Sequence, residues 1–226
     1  MQFKRVCEHS FLQNLLGNPA VVLDCGANHG DFSRWISDNC SAVVHGFEPD
    51  PRLFPELPIL RNVEFHPVAI SATGKPLELN LGMKRCGTAY FPEYPEQETV
   101  IVKSIKLDEF CDRHSISHID LIKMDIEGSE IEVLNGLPDD FLKKIGQITV
   151  EFHDFIDKSD LPRIHYIISK LHDLGFMKYQ YSYSDHSDIL FINQNIHKIK
   201  NFEKIMLIII KYFTGITRLI NRYIKC

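Results

Sequence analysis

Hydrophobic and polar residues follow one another along this chain in blocks that predict strands and helices in alternation. Apolar blocks of strand length lie at 20–24, 43–48, 63–66, 119–125, 147–152, 176–183 and 188–193. Blocks with helical periodicity lie at 7–17, 31–39, 107–114, 129–136 and 161–174. This alternation is typical of an α/β fold built on a mostly parallel sheet with both faces covered. We therefore predict a seven-stranded sheet, and the polar turn at Asp185-His186 predicts that the last two strands form an antiparallel hairpin.

Residues 75–106 interrupt this alternation. Two stretches of period two, at 77–81 and 100–105, flank a loop at 82–98 that is rich in Pro, Gly and aromatic residues. We interpret them as an inserted β-ribbon whose loop overhangs the carboxyl ends of the strands, where open α/β sheets bind ligands. A surface hairpin without a ligand is the alternative. The loop side chains suited to a hydroxylated or charged acceptor are Lys84, Arg85, Thr88, Tyr90 and Tyr94.

Composition divides the chain into two parts. At 226 residues, with 44% hydrophobic and 24% charged residues, it has the size and composition of one globular α/β domain. Residues 196–226 carry seven Lys/Arg and one acidic residue, whereas residues 1–195 carry 18 basic and 29 acidic ones. The acidic body argues against a nucleic-acid partner. We therefore predict a domain at 1–195 and a separate basic tail at 196–226.

The tail has the pattern of an amphipathic helix at 200–225. On a helical projection its basic residues fall within one narrow arc, and the remaining surface is mostly Ile, Leu, Met, Phe and Tyr. These basic residues are Lys200, Lys204, Lys211, Arg218, Arg222 and Lys225. The charges interrupt every window long enough for a membrane span, so the pattern favours a helix lying on a membrane surface. A helix that packs on the sheet or on a second subunit is the alternative, and the oligomeric state is not predicted.

Cysteine usage and the N-terminal residues indicate the compartment. The six cysteines form neither a C-x-x-C pair nor a zinc-binding spacing. This pattern favours reduced thiols over a disulfide framework. The first residues lack the apolar core and cleavage site of a signal peptide. We therefore expect a cytoplasmic protein, with the tail as a route to peripheral contact with a membrane.

A glycine-rich loop between the first strand and its helix predicts a nucleotide-type site. The strand ends on Asp24, and the loop reads Gly26-Ala27-Asn28-His29-Gly30. The second strand ends on Glu48, and a carboxylate at that position is the usual ligand for the two hydroxyls of an adenosine ribose. The pattern predicts a cofactor that carries a ribose.

The same loop argues against a dinucleotide such as NAD. Pyrophosphate needs a bare glycine backbone and a helix N-terminus free of competing negative charge. Here Asn28 places a side chain in the middle of the loop, and Asp24 and Asp31 would repel phosphates. These residues suit the positively charged end of S-adenosylmethionine. Asp31 is also a candidate N-cap for the following helix.

Three motifs in fixed order resemble the FkbM-type S-adenosylmethionine-dependent methyltransferases. They are the run from Asp24 to Gly30, the segment Phe47-Glu48-Pro49, and the run Lys123-Met124-Asp125-Ile126-Glu127-Gly128-Ser129-Glu130. The resemblance covers roughly residues 19–193. It implies the Rossmann-like class I methyltransferase sheet and O-methylation of a sugar, glycan or secondary-metabolite hydroxyl.

The resemblance also assigns residues to the cofactor. The motif positions carried over are Asp24, Gly26, Ala27, Asn28, Gly30, Glu48 and Asp125. Phe47 and Pro49 flank the acidic residue and are expected to line the ribose and adenine, and Ala69 resembles the family's adenine-side position.

Strand ends later in the chain supply candidate catalytic groups. Asp125 and Glu127 are two residues apart, as are Glu151 and His153 on the next strand, so each pair should share a face. The two neighbouring strand ends should then bring all four side chains around one point. Because methyl transfer to a hydroxyl requires removal of its proton, we predict His153 with a near-neutral pKa as the base, and Glu127 or Asp125 as the group that places the acceptor. A histidine bonded only to a carboxylate is the alternative. Glu130, in the first turn of the next helix, is interpreted as structural.

Two further expectations concern metals and histidines. The carboxylates and His153 could hold Mg²⁺ or Mn²⁺, although no residue spacing requires a metal ion. The other histidines are scattered along the sequence, and we interpret most of them as surface or core residues, with His29 in the glycine-rich loop as the exception.

Two functions of different class fit the sequence. The first is an S-adenosylmethionine-dependent O-methyltransferase of the FkbM type. The second is a non-catalytic, membrane-associated partner protein with a methyltransferase-like fold. The intact acidic and glycine positions favour the enzyme, because a site without function should show substitutions there.

Overall fold

The computed structural model of the chain describes residues 1–81, 87–88, 98–154, 157–182, 185–210 and 212, with the backbone alone at 87–88. The strands in these ranges are β1 (Phe3–Val6), β2 (His9–Leu12), β3 (Ala20–Cys25), β4 (Ala42–Phe47), β5 (Val63–His66), β6 (Ala69–Ile70), β7 (Leu77–Leu81), β8 (Gly87–Thr88), β9 (Glu98–Val102), β10 (Ser104–Ile105), β11 (Ile119–Met124), β12 (Ile145–Val150), β13 (Phe176–Gln180) and β14 (Ile189–Asn193). The α-helices are α1 (Asp31–Asn39), α2 (Leu107–Arg113), α3 (Glu130–Gly136), α4 (Asp139–Leu142), α5 (Leu161–Asp173) and α6 (201–210). Short 3₁₀ turns lie at Gln13–Leu15, Phe54–Glu56 and Lys158–Asp160.

The central sheet has seven strands in the order β13-β14-β12-β11-β3-β4-β5. Strands β3, β4, β5, β11 and β12 are parallel, whereas β14 runs antiparallel to both β12 and β13. The strand order therefore reverses between β3 and β11. This is the class I methyltransferase sheet, and the predicted mostly parallel sheet with a terminal antiparallel hairpin is confirmed.

Both faces of the sheet are buried, which explains the nearly continuous apolar runs of its strands. Alternate residues of one strand enter different cores: Leu23 joins the cluster with α2, α3 and α5, whereas Val22 joins the cluster with α1 and the β1–β2 hairpin. Both side chains are fully buried. The two layers hold the carboxyl ends of β3, β4 and β11 at one edge.

The helix predicted at 7–17 is wrong. The segment forms β2, which pairs antiparallel with β1, followed by one 3₁₀ turn. The Gln147 side chain of β12 accepts a hydrogen bond from the Leu12 N–H and donates one to the Leu12 carbonyl oxygen, at 2.9 and 3.1 Å. This contact holds the segment in an extended conformation against the central sheet. The helical periodicity of the segment does not indicate the contact.

The inserted β-ribbon is confirmed. Strands β7 and β9 pair antiparallel, with β8 beside β7, and β6 and β10 add a short parallel pair that the sequence did not indicate. The side chains proposed for the acceptor at positions 84, 85, 88, 90 and 94 lie outside the described residues.

Helix α6 packs one side against the body and exposes the other. Leu207 is fully buried in the same core cluster as Val22, whereas Phe202, Ile205 and Ile208 are at least half exposed. Of the predicted basic arc, only Lys200 and Lys204 lie within the described residues. None of the helices in the described part of the chain combines the length and the apolar character that a membrane crossing requires.

Candidate active site

A cavity opens at the carboxyl ends of β3, β4 and β11, close to the point where the strand order reverses. Ligands of open α/β sheets bind at such a point. Eight residues predicted for the site line it: Gly26, Asn28, Phe47, Glu48, Pro49, Ala69, Asp125 and Glu127. The apolar side chains of Leu53, Ile70, Leu77, Leu79 and Ile126 complete most of the wall.

The glycine-rich loop is held close to β4 and to the end of β11. The N–H groups of Gly26 and Ala27 both donate to the Phe47 carbonyl oxygen, at 3.1 and 2.8 Å. Gly26 has a φ of +83°, and a Cβ at this position would lie 1.8 Å from the Asp125 carbonyl oxygen. Only glycine therefore permits this approach of the two strand ends.

Helix α1 begins one residue earlier than a side-chain cap at Asp31 would place it. Gly30, with a φ of +78°, is the N-cap, and Asp31 is the first helical residue. The expectation that Asp31 caps the helix is wrong, because Gly30 already adopts the left-handed turn that starts it. Asp31, Ala27 and His29 line a second cavity next to the loop.

Glu48 is fixed by the backbone around it. Its Oε2 accepts the Asn28 N–H and its Oε1 accepts the Asp50 N–H, both at 2.8 Å. Burial raises the pKa of Glu48 to about 7, although these hydrogen bonds oppose the rise. Each carboxylate oxygen can accept a second hydrogen bond, so Glu48 can still receive two hydroxyl donors from a ligand.

Asn28 leaves a polar atom unsatisfied at the same cavity. Its backbone has a φ of +51°, a left-handed conformation that Asn tolerates better than most residues. Its side-chain Oδ1 is buried and has no hydrogen-bond partner among the described residues. A buried acceptor without a partner is costly, and a donor on a bound ligand would satisfy it.

Asp24 lies behind the loop, not in the cavity. It is fully buried, accepts a hydrogen bond from Ser33 Oγ at 2.7 Å and lies 3.4 Å from Lys123 Nζ. The sequence predicted that Asp24 lies at the charged end of the cofactor. The structure instead gives it two buried partners that connect β3 to α1 and β11.

Lys123 is a buried cation that the sequence analysis did not single out. It is 4% exposed and donates to the Gly26 carbonyl oxygen at 2.5 Å. Its ammonium also lies 3.7 Å from Asp125. Burial opposes its charge, but Asp24 and Asp125 outweigh this effect and raise the pKa of Lys123. The sequence did carry a signal for this role, since Lys123 lies in an apolar strand between Asp120 and Asp125.

Asp125 follows β11 and reaches the cavity together with Glu127. Burial alone would raise the pKa of Asp125, but Lys123 and the His9 imidazole hold it well below its usual range. Asp125 is therefore ionised at neutral pH. Its Oδ2 lies 3.4 Å from Nε2 of His9, a fully buried residue of β2.

Glu127 reaches the cavity through a tight turn between β11 and α3. Glu127 and Gly128 form this turn with positive φ values of +55° and +100°. Glu130 accepts the N–H groups of Ile126 and Gly128 at 2.8 and 3.1 Å, so its structural role is fixing this turn. Burial and the neighbouring Asp125 raise the pKa of Glu127.

His153 lies behind the two carboxylates of the cavity. Its Nε2 is 3.5 Å from Glu127 and 4.0 Å from Asp125, and its Nδ1 is 3.4 Å from Glu130. Burial opposes its charge, but Glu130, Glu127 and Asp125 outweigh this effect and raise the pKa of His153 to about 9. The expectation of a near-neutral histidine is wrong, because three carboxylates surround the ring.

Glu151 completes the predicted convergence of the strand ends. Burial and Asp125 raise the pKa of Glu151 to about 7. Ligand atoms of His9, Asp125 and Glu151 lie within 4.8 Å of one another. The β1–β2 hairpin places His9 in this cluster. Because the sequence predicted a helix at 7–17, it did not predict that His9 lies beside Asp125.

Comparison with known proteins gives the family. A model described as the methyltransferase FkbM domain matches residues 24–178. The 2-O-methyltransferase NoeI of Sinorhizobium fredii is 30% identical over 151 residues, covering 57% of this chain and 62% of NoeI. The hexuronic acid methyltransferase AglP of Haloferax volcanii is 26% identical over 153 residues, covering 64% of this chain and 60% of AglP.

A third relative is also named a methyltransferase. The 31-O-demethyl-FK506 methyltransferase FkbM of Streptomyces tacrolimicus is 28% identical over 170 residues, covering 59% of this chain and 65% of that protein. The matched segments therefore span about three fifths of the length of these relatives. Because the family model matches more than half of the chain, from the glycine-rich loop to the terminal hairpin, the chain belongs to the FkbM methyltransferase family.

Proposed function

We propose that this protein transfers the methyl group of S-adenosylmethionine to a hydroxyl of a sugar, glycan or secondary metabolite. The observation that carries the proposal is that Glu48 and the pair Asp125 and Glu127 line one cavity. Glu48 suits the ribose hydroxyls of the cofactor, and Asp125 and Glu127 suit a cationic or hydroxylated group of a ligand.

The residues of the cavity fit S-adenosylmethionine. Glu48 retains acceptor capacity for two ribose hydroxyls, and Asn28 Oδ1 offers a buried acceptor without a partner among the described residues. Phe47 and Ala69 give an apolar wall for a base. The low pKa of Asp125 keeps a negative charge that favours the amino group of the ligand.

The names of two relatives support a sugar hydroxyl as the acceptor. NoeI is named a 2-O-methyltransferase, and AglP is named a hexuronic acid methyltransferase. The inserted ribbon also contributes Leu77 and Leu79 to the cavity wall. The acceptor would then enter between the ribbon and the carboxylates at the end of β11.

Glu127 is the group that we place against the acceptor hydroxyl. S-adenosylmethionine, when bound, supplies a methyl group on a positively charged sulfur that an oxygen nucleophile can displace. Glu127 lines the cavity, whereas His153 lies behind it, 3.5 Å away. Glu127 accepts the hydroxyl proton, and the protonated His153 ring orients its carboxylate. The sequence instead predicted His153 as the base and Glu127 or Asp125 as the group that places the acceptor.

We expect methyl transfer to proceed without a divalent cation. His9, Asp125 and Glu151 form a donor set of the right composition for one. However, the Lys123 ammonium lies 3.7 Å from Asp125 and would repel a second cation there. After chelation, activity should be the same with and without added Mg²⁺. Loss of activity that Mg²⁺ alone restores would contradict this expectation.

The proposal also includes contact of α6 with a membrane surface. Phe202, Ile205 and Ile208 expose an apolar face, and Lys200 at the start of the helix is exposed as well. Such a face suits the surface of an anionic bilayer. The protein should co-float with vesicles containing phosphatidylserine, and Phe202→Ser with Ile205→Ser should abolish this. Co-flotation unchanged by the two substitutions would show that α6 is not the contact.

The activity is tested by transfer of radiolabelled methyl groups to a panel of hydroxylated sugars, hexuronic acids and their glycosides. We expect label in at least one acceptor, as an alkali-stable ether, and loss of transfer in Glu127→Gln. Binding of S-adenosylmethionine without transfer to any member of a broad acceptor panel would favour the non-catalytic partner protein instead.

A further inference from the structure

Three imidazoles and one carboxylate that are far apart in sequence converge at the outer edge of the central sheet. His45 is on β4, and Glu64 and His66 are on the edge strand β5. His114 follows the last residue of α2. In the parallel pairing of β4 and β5, His45 is opposite Glu64, so the two side chains share one face of the sheet.

The fold brings His114 to this face through an aromatic contact. The His114 ring stacks on Phe110, one helical turn earlier, with centroids 4.1 Å apart. Phe110 in turn packs edge-on against His45 and His66, at 5.2 and 4.9 Å. The ring of His114 is consequently 5.4 Å from that of His45.

The polar atoms of this cluster face one another. His45 Nδ1 is 3.1 Å from His66 Nε2 and 3.8 Å from Glu64 Oε2. Ligand atoms of His45, Glu64 and His114 all lie within 4.8 Å of one another. Ring packing alone would not require two ring nitrogens and a carboxylate oxygen to converge on one point.

These distances are close to those of a tetrahedral zinc site. With Zn–N bonds of about 2.0–2.1 Å, tetrahedral ligand atoms lie about 3.3–3.4 Å apart. His45 Nδ1 is 3.8 Å from Glu64 Oε2, and the Glu64 side chain, which is 62% exposed, can move the remaining distance. Imidazole nitrogens favour Zn²⁺ over Mg²⁺ or Ca²⁺, which prefer oxygen ligands.

The local charges also permit a cation here. Among the described residues, the ion pairs of Glu64 are with His45 and His66 alone, so no Lys or Arg competes for its carboxylate. In this respect the cluster differs from the donor set at Asp125, where Lys123 is a direct neighbour.

We propose that His45, Glu64 and His114 bind one Zn²⁺ ion at the outer edge of the sheet, with the His66 ring next to the site. The site is outside the proposed cofactor cavity but adjoins its wall. Phe47, which lines that cavity, stacks on His66 with centroids 5.2 Å apart. Bound Zn²⁺ joins β4, β5 and α2 behind this wall, so it should also raise the thermal unfolding temperature.

The test measures Zn²⁺ affinity of the full chain after removal of metal, by competition with a chromophoric zinc indicator under reducing conditions. The wild type should have one high-affinity Zn²⁺ site, and any further Zn²⁺ ions should bind more weakly. His114→Ala and Glu64→Gln should each weaken this binding by at least about tenfold and remove the Zn²⁺-dependent rise in unfolding temperature. Both side chains are exposed, so neither substitution should prevent folding.

His172→Ala is the matched control. His172 is also an exposed histidine at the C-terminal end of a helix, α5, but lies outside the cluster. It should retain wild-type Zn²⁺ affinity, and crystals soaked in Zn²⁺ should show an anomalous peak between His45, Glu64 and His114. Wild-type affinity in His114→Ala, or a zinc peak only elsewhere, would overturn the proposal.

Discussion

Lys123 Nζ donates a hydrogen bond to the carbonyl oxygen of Gly26 at 2.5 Å, which joins the end of β11 to the glycine-rich loop after β3. The same ammonium lies 3.4 Å from Asp24 and 3.7 Å from Asp125. One buried cation therefore compensates two acids and fixes the loop that forms one side of the candidate cofactor cavity.

Substitution Lys123→Met should destabilise the protein strongly. It removes the positive charge and leaves the fully buried Asp24 carboxylate without its cation, which costs about 3–5 kcal/mol in the free energy of unfolding. Urea denaturation followed by circular dichroism measures the change. Lys143→Met is the control, since that exposed residue forms a surface ion pair with Asp140, and it should cost less than about 1 kcal/mol. Equal effects of the two substitutions would contradict the account of the buried cation.

Gly26→Ala should disrupt the loop in two ways. It strains the left-handed backbone, and it also places a Cβ where there is no space. The new Cβ would overlap the Asp125 carbonyl oxygen at 1.8 Å, so β3 and β11 would have to separate at the cavity. Gly74→Ala is matched in backbone conformation, with a φ of +67°, but its Cβ would have no neighbour closer than 3.6 Å.

The paired variants separate overlap from strain. Gly74→Ala should lose about 1–2 kcal/mol of stability and keep its S-adenosylmethionine affinity, because only its backbone is strained. Gly26→Ala should lose more stability and most of its cofactor affinity, as measured by denaturation and calorimetry. Similar losses in both variants would show that close approach at Gly26 is not what shapes the cavity.

The apolar periodicity of the chain predicted the central sheet, because strands buried on both faces have continuous apolar runs such as Val21-Val22-Leu23. It also predicted that Asp125, Glu127 and His153 meet, since the carboxyl ends of parallel strands share an edge. What it missed depends on contacts between distant residues. The extended conformation of β2 rests on Gln147, and neither that pairing nor the place of His9 beside Asp125 has a local signal.

Protonation states were a second limit of the sequence argument. A histidine alone has a near-neutral pKa, but the three carboxylates around His153 raise it to about 9. Likewise, Asp24 had no apparent structural partner in sequence, because Lys123 and Ser33 reach it only in the folded protein. The protonation of His153 and the structural role of Asp24 both depend on which charges lie near them in the folded protein. Residue spacing in the sequence does not give this information.

Affinity for S-adenosylmethionine should increase with pH near neutrality. Burial raises the pKa of Glu48 to about 7, and ribose hydroxyls donate to its ionised form. Below this pKa the carboxyl group must lose a proton to bind, so affinity should fall by up to about tenfold per pH unit. Calorimetry between about pH 6 and pH 8 measures this slope. Glu48→Gln should remove it, and an unchanged slope in that variant would assign the titration to another group.

Glu127 and His153 should have separable effects on turnover. Glu127→Gln should lower kcat by about 10²–10⁴-fold and leave the dissociation constant of S-adenosylmethionine nearly unchanged, because it removes the proton acceptor alone. His153→Asn removes the positive charge beside Glu127, which raises the Glu127 pKa. Its kcat should fall less, and the acid limb of its pH profile should move to higher pH. An equal loss of kcat with an unshifted limb would make His153 itself the base.

The central claim is that Glu48 and the glycine-rich loop bind S-adenosylmethionine, and calorimetric titration of the purified protein tests it most directly. NAD is the competing ligand, and Glu78→Gln is the matched control, since Glu78 is exposed on β7 between the cavity-lining Leu77 and Leu79. We predict binding of S-adenosylmethionine and not of NAD, about 10- to 100-fold weaker in Glu48→Gln and unchanged in Glu78→Gln. Binding of NAD, or equal S-adenosylmethionine affinity in wild type and Glu48→Gln, would contradict the account.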